Sequence, residues 1–475
     1  MAATLRAVAA IDNLIMKREN DCCRLKAIRF AMKNGRFRTM VLVFCEDKPF
    51  FMRSWTVSLL FFLSFTQARA QREPDMIYMK NINAVKFHQF GNQLSFPIIQ
   101  LNSDNKMELH FDDMEGGVKY YFYTLELRNA DWTPAQMSYF DYVKGFTQQR
   151  INTYRVSSAM ISRYTHYQVT LPDRNIMPTK SGNYVLKVFL NGDTSKLAFT
   201  RKLLVVDPRF GIAAQVQQPF AQQFFRTHHR LLVQVSTKGF ETRYPQQQVK
   251  LFILQNYRWD NALKAIQPTF LKPDLLEFVN EQEMLFPAVR EWRWANLRSF
   301  RLLGDRVSRQ QNTDSSFTVF VQDEKPRVGS PYFYFNDMNG MYINETVEKI
   351  NPLWEADFST VHFTFVPPGG VPYRNRDLYL FGELTGYGRN QGAKLVFNET
   401  KRMYETDLVL KQGYYDYCYT LKDPRSEVFE TDQTEGNAWE TENSYTVLVY
   451  FRELGGRYDQ LLGMNTINSQ FARPQ

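Results

Sequence analysis

Between Leu94 and Val206 the chain is built of strand-length runs separated by polar turns: LHFDDM at 109–114, VKYYFYTLEL at 118–127, THYQVTL at 165–171, NYVLKVFL at 183–190 and LAFTRKLLVV at 197–206. In the fourth run Tyr184, Leu186, Val188 and Leu190 recur at every second position. That period points one side of a strand at a core and the other outward. Glu115-Gly116-Gly117, Ser181-Gly182-Asn183 and Asn191-Gly192-Asp193 sit beside these runs and supply the backbone freedom that turns need. Short alternating strands punctuated in this way predict an immunoglobulin-like β-sandwich over residues 71–207.

Val205-Val206-Asp207-Pro208 closes this block, because proline cannot continue a central strand and a Gln-rich stretch follows. A second set, LLVQVS (231–236), VKLFILQN (249–256), WRWANLRSF (292–300) and FTVFVQ (317–322), predicts a middle sandwich over 208–326. Leu275–Glu283 reads as a helical turn or a loop. A third set, TVHFTFV (360–366), DLYLFGEL (377–384), AKLVFN (393–398), the long run 403–421 and SYTVLVYF (444–451), predicts a C-terminal sandwich over 327–475. The expected fold class is all-β, with tandem sandwiches. An aromatic content of 15%, with 26 Tyr and 39 Phe, supports it, because flat rings pack well on pleated surfaces.

The net charge of +9 would ordinarily suggest nucleic acid or an anionic surface as partner. Its location removes that reading. Residues 1–70 hold 12 Lys and Arg against 5 Asp and Glu, leaving 46 against 44 for the rest of the chain. Within the basic segment, residues 52–70 run MRSWTVSLLFFLSFTQARA, a basic start, an apolar stretch and a small-x-small end. This is the order of a secretory signal peptide, and the apolar run is well short of the ~20 residues a spanning helix needs. Cleavage after Ala70 is expected, with Met52 as the natural start and residues 1–51 a spurious extension. That extension shows no clear apolar period. The processed chain would keep only Cys418, so no intramolecular disulfide is expected, and no cysteine follows the apolar run to carry a lipid.

Motifs that carry catalysis are absent from the sequence. No histidines fall in an H-x-x-x-H or H-E-x-x-H arrangement, and there is no G-x-S-x-G, G-x-x-x-x-G-K-[ST] or G-x-G-x-x-G. His228 and His229 are adjacent, so on a strand they face opposite ways. Asp112-Asp113 precedes a Gly-rich turn and reads as a solvated acidic turn before it reads as a hydrolytic pair or a calcium site. Trp132, Trp259, Trp292, Trp294, Trp354 and Trp439 could stack on sugars, although Trp292 and Trp294, two apart, read better as core. Neither a cofactor nor a metal is expected.

Taken in order, Asn129-Ala130-Asp131-Trp132, Tyr164-Thr165-His166-Tyr167, Ser181-Gly182-Asn183-Tyr184 and Lys411-Gln412-Gly413-Tyr414-Tyr415 resemble the type IX secretion system plug protein family of Bacteroidota. Glu442-Asn443-Ser444-Tyr445, Val449-Tyr450-Phe451-Arg452 and Gly456-Arg457-Tyr458-Asp459 resemble its C-terminal end. The resemblance covers most of residues 75–470 and none of 1–51. It implies a non-enzymatic periplasmic protein, peripherally associated with the outer membrane, that closes the translocon barrel through which folded cargo leaves. Neither nucleic acid nor a membrane span of its own is implied. Asp131, Trp132, His166, Tyr167, Gly182, Tyr184 and Gly413 are its expected structural signature positions, with Gly182 taking a positive φ and Tyr184 opening the next strand. The alternative is a glycan-binding sandwich protein using Trp439 and the aromatic segment Tyr414–Tyr419.

Overall fold

The computed structural model describes residues 75–470, apart from positions 241, 391 and 427, and the backbone of three strands near the N-terminus. The chain divides into two compact units, Met1–Arg72 and Glu73–Gln475. In the first, Ala10–Leu14, Cys23–Ala31 and Phe37–Cys45 form an antiparallel three-stranded meander, which the missing apolar period did not anticipate. The signal-peptide reading at 52–70 falls outside the described residues.

The second unit is all-β and contains three two-sheet cores. In the N-terminal one, the sheet ordered Thr153–Val156, Thr165–Leu171, Met107–Asp113, Ile82–Gln89 faces the sheet ordered Ile98–Gln100, Leu197–Val206, Gly182–Leu190, Tyr121–Arg128, Gln149–Arg150. Leu109, Phe111, Tyr121, Tyr167, Tyr184 and Leu186 fill the space between them. The Gly182–Leu190 strand departs from the simple alternation. Val185 and Phe189 on its supposed outer side are also buried, because this sheet is packed from behind as well.

The expected boundary at 326/327 does not describe how the remaining strands sort. Val249–Gln255 pairs along its whole length with Ser444–Phe451, which continues to Gln460–Asn468, so the middle sandwich is closed by the C-terminal end of the chain. Its core combines Leu231, Val233, Leu251 and Ile253 with Tyr445, Val447 and Val449. Conversely, Arg293–Asn296 and Phe317–Val321 join the third sandwich, pairing with Gly413–Lys422 and Phe358–Phe365. Apolar runs reveal strands but not partners, and here the pairings skip nearly 200 residues. Leu275–Glu283 resolves into the strand Leu275–Phe278 and a single 3-10 turn at Glu281–Glu283.

An apolar layer joins the first two sandwiches. Leu204 and Val206 from the outer side of the N-terminal sheet meet Phe252, Leu254, Leu448, Tyr450 and Leu461 of the middle one. Burial of such side chains is worth about 1.5–3 kcal/mol each, so this layer binds the lobes together. Among the described residues no helix is long and apolar enough to cross a membrane.

Candidate functional site

Motifs scattered over 330 residues converge on two buried seams between the sandwiches. At the first, the 129–132 and 181–184 turns meet the C-terminal strands. Asp459, almost fully buried, accepts a hydrogen bond from the Ala130 N–H at 3.0 Å through Oδ2, and its Oδ1 takes Lys250 Nζ at 3.1 Å and Arg452 Nε at 2.8 Å. Arg452 also donates to Asn129 Oδ1, and the Tyr450 hydroxyl donates to Asn183 Oδ1 at 2.7 Å. Trp132 is half-buried with a positive φ and meets Trp259 edge-to-face at 4.8 Å, whereas Asp131 is exposed and accepts from Thr133. Gly182 has φ +143°, as expected, and a Cβ there would lie 3.2 Å from Leu127 Cδ1 and 3.1 Å from the Asp459 carbonyl. Tyr184 is buried and donates to the Lys180 carbonyl at 2.8 Å.

The second seam lies on the polar side of the Thr165–Leu171, Met107–Asp113, Ile82–Gln89 sheet, where it packs on the third sandwich. Asp112 and Asp113 are buried, not a solvated turn. They end a strand, so their side chains leave on opposite sides. Asp113 is held by Asn81, by the Tyr121 hydroxyl at 2.9 Å and by Lys119 at 2.7 Å. Asp112 receives His166 Nδ1 at 2.7 Å and Lys411 Nζ at 2.6 Å, and Lys411 also donates to the Leu353 carbonyl. Burial lowers the Lys411 ammonium from its ordinary value, opposed by the Asp112 charge. Tyr164 donates to the Ala356 carbonyl at 2.8 Å, and the Asp357 carboxylate receives the backbone N–H groups of Met160, Ile161 and Ser162. Two strands along, Lys86 Nζ reaches both oxygens of Glu383 at 2.8 and 2.9 Å and the Tyr342 carbonyl. Tyr167, on the opposite side of its strand, is core, with its hydroxyl bonded to the Lys119 backbone.

The same polar side carries a histidine row. His88 stands opposite Glu108, Lys86 opposite His110, and Asp112 opposite His166 in the strand register. The rings of His88, His110 and His166 stack in succession at centroid distances of 5.5 and 5.4 Å. His110 Nδ1 lies 3.2 Å from His166 Nε2, and His110 Nε2 lies 3.8 Å from Glu108. Burial, joined by the nearby His166, His88 and Lys411, pushes the His110 imidazolium down to about 3, so the ring is neutral at physiological pH. A motif search along one strand or helix misses this row because its members meet only across strands. The period-two spacing Lys86/His88 and Glu108/His110/Asp112 was the signal that could have found it.

Gly413, the remaining signature position, is buried where Gly413–Lys422 passes Tyr342–Asn344, and a Cβ would meet the Ile343 carbonyl oxygen at 2.2 Å. Gly413→Ala must therefore displace a strand next to Lys411, and a stability loss of about 1–3 kcal/mol is expected, read as a lower urea midpoint. Trp439 is half-buried and edge-on to His229 at 4.8 Å, with its carbonyl accepting from His229 Nε2. It packs against the core of the middle sandwich. His229 is core and also bonds the Tyr445 hydroxyl, while His228 on the opposite side of the strand contacts Thr227. Trp292 is buried with Phe381 and Cys418, and Trp294 is half-buried and donates to Asp305. Of the signature positions, Trp132, Gly182, His166 and Gly413 thus lie at or beside the seams, Tyr167 and Tyr184 in the N-terminal core, and Asp131 on the surface.

Residues 82–207 match the sequence profile described as the type 9 secretion system plug protein 1st domain. No curated protein sequence matches the chain. Among solved structures, one described as a hypothetical protein from Parabacteroides merdae ATCC 43184 is similar at 29% identity with a TM-score of 0.79, covering 82% of this chain and 98% of that one. The matched segment is the N-terminal sandwich, its end falling where Asp207-Pro208 leaves the last strand, and it carries half of each seam. Residues 82–207 are thus similar to the first domain of the type IX secretion system plug family, and that match supports membership of the family.

Proposed function

We propose that the protein is a non-enzymatic periplasmic plug that docks on the outer-membrane translocon barrel of the type IX secretion system and closes it. The match of residues 82–207 to the first plug domain carries this reading. The two seams and the apolar layer supply the physical property the task requires. A barrel wide enough for folded cargo encloses an aqueous lumen, and a body that blocks it must not part into separately moving lobes. The hydrogen bonds from Ala130 to Asp459 and from Arg452 to Asn129, the buried Asp112–Lys411 ion pair, and the packing of Leu448 and Tyr450 on Leu204 and Val206 oppose such parting. Blocking of this kind is steric and needs neither nucleophile nor cofactor.

Detergent-solubilised outer membranes, captured on the tagged protein and analysed by mass spectrometry, should yield a large β-barrel translocon subunit as the principal partner. Deletion of the gene should then raise outer-membrane permeability to large solutes in cells whose translocon lacks its other closure. Capture without a barrel, together with unchanged permeability, would exclude the plug role.

A further inference from the structure

We propose that His88, Glu108 and His110 form a binding site for one divalent transition-metal ion, Zn2+ by ligand type, through the two Nε2 atoms and the Glu108 carboxylate. All three residues are buried, and one ligand atom from each lies within 4.8 Å of the others. The 3.8 Å between His110 Nε2 and Glu108 Oε2 is close to the ~3.4 Å that separates two ligands on a tetrahedral ion with bonds of about 2.1 Å.

Hydrogen bonding fixes which ring nitrogens carry lone pairs. His88 Nδ1 faces the Gln89 carbonyl at 2.9 Å, so it bears the proton, and Nε2 is left as a buried acceptor with no partner. An orphaned acceptor of this kind in a polar cavity calls for a cation or a donor. For His110 the second shell does the same work. In the arrangement with a neutral His166 ring, Nδ1 donates to Asp112 and Nε2 accepts from His110 Nδ1, so that His110 Nε2 presents its lone pair toward Glu108. A metal-bound imidazole whose far N–H is anchored on a carbonyl or, through a relay, on a carboxylate is the usual arrangement in protein metal sites.

The three residues border a cavity of about 220 Å³, large enough to leave a position open to water. Asn344 Oδ1, a second buried acceptor without a partner, lines the same space. Lys86 also borders it, but its charge is balanced by Glu383. Two imidazoles, one carboxylate and an open position match the ligand set of zinc sites that retain water. None of this is required for blocking a pore, so the site can fail while the plug reading stands.

Tag-free full-length protein, stripped with chelator and titrated with Co2+, should take up one ion per chain and develop visible d–d absorption that Zn2+ abolishes. His88→Gln and Glu108→Gln should each eliminate that uptake. His362→Gln, on a different sheet beside Asp407 and Glu405, should leave it unchanged. His166→Gln, which removes the anchor of His110 and a donor to Asp112 but no ligand, should weaken affinity by about 10–100-fold. X-ray absorption on the wild-type Zn2+ form should show two imidazoles and oxygen donors at about 2.0–2.2 Å, a result independent of whether the variants fold. Absence of uptake by the wild-type protein, uptake that survives His88→Gln, or a spectrum without two imidazoles would overturn the site.

Discussion

Lys411→Met should lower the stability of the protein by about 3–5 kcal/mol, the range measured when one partner of a buried ion pair is deleted. Lys411 lies 2.6 Å from Asp112, and both side chains are only 1% exposed. Methionine fills most of the space but leaves a buried carboxylate with His166 as its remaining donor. The Leu353 carbonyl loses its ammonium at the same time. Water cannot readily compensate, because Tyr164 and Phe358 enclose the ammonium at ring-centroid distances of 4.4 and 5.5 Å.

The double variant Lys411→Met/Asp112→Asn separates the pair from mere packing. Removing the stranded charge should restore part of the loss, giving a coupling energy of about 0.5–3 kcal/mol in urea unfolding. A single-variant loss below about 1 kcal/mol, typical of exposed pairs, would show that the seam is wet and that the lobes are not locked there. Because the pair connects the profile-matched sandwich to the third one across 299 residues, its loss should also raise protease susceptibility at the seam. In cells the same variant should leak, if stiffness is what closes the barrel.

Individual strands were legible where both ends were marked and one face was apolar. Thr165–Leu171, Leu197–Val206 and Ser444–Phe451 begin and end where their patterns do. Ile82–Gln89 was not picked out as a strand, because Lys86 and His88 break its apolar pattern on a side that is buried against the third sandwich. The same inversion misassigned Asp112-Asp113: adjacent acids before glycines look solvated until a lysine 299 positions away is known to cover one of them. Strand partnership was illegible in principle, since Val249–Gln255 would accept any apolar neighbour and its register with Ser444–Phe451 is set by the whole fold. The resemblance named motifs without a physical role for them. In the structure Asn129, Asn183, Arg452 and Asp459 from those motifs lie at one seam, and His166 and Lys411 share one carboxylate at the other.

Glu435→Gln should cost about 3–5 kcal/mol at neutral pH, and that cost should vanish in acid. The fully buried Glu435 carboxylate takes Arg293 Nε at 2.9 Å, Arg327 Nε at 2.7 Å and the Tyr419 backbone N–H at 2.8 Å. Arg293, itself 2% exposed, also pairs with Glu324 and donates to the Lys325 carbonyl at 2.7 Å, so one network ties the loop before Ser444–Phe451 to the third sandwich. Burial alone would raise the Glu435 carboxyl, but the two guanidiniums and their hydrogen bonds overcome it and hold it at about 2. A folded value below the ordinary 4.5 means that the ionised form is favoured by folding. The stabilisation is therefore complete above pH ~4.5 and is lost as pH falls toward 2. Glutamine keeps the shape and cannot ionise, so the urea midpoints of wild type and variant should be far apart at pH 7 and converge between pH ~4.5 and 2. A gap that stays constant over that interval would mean the glutamine acts through geometry rather than charge, and the guanidiniums would then be paired elsewhere.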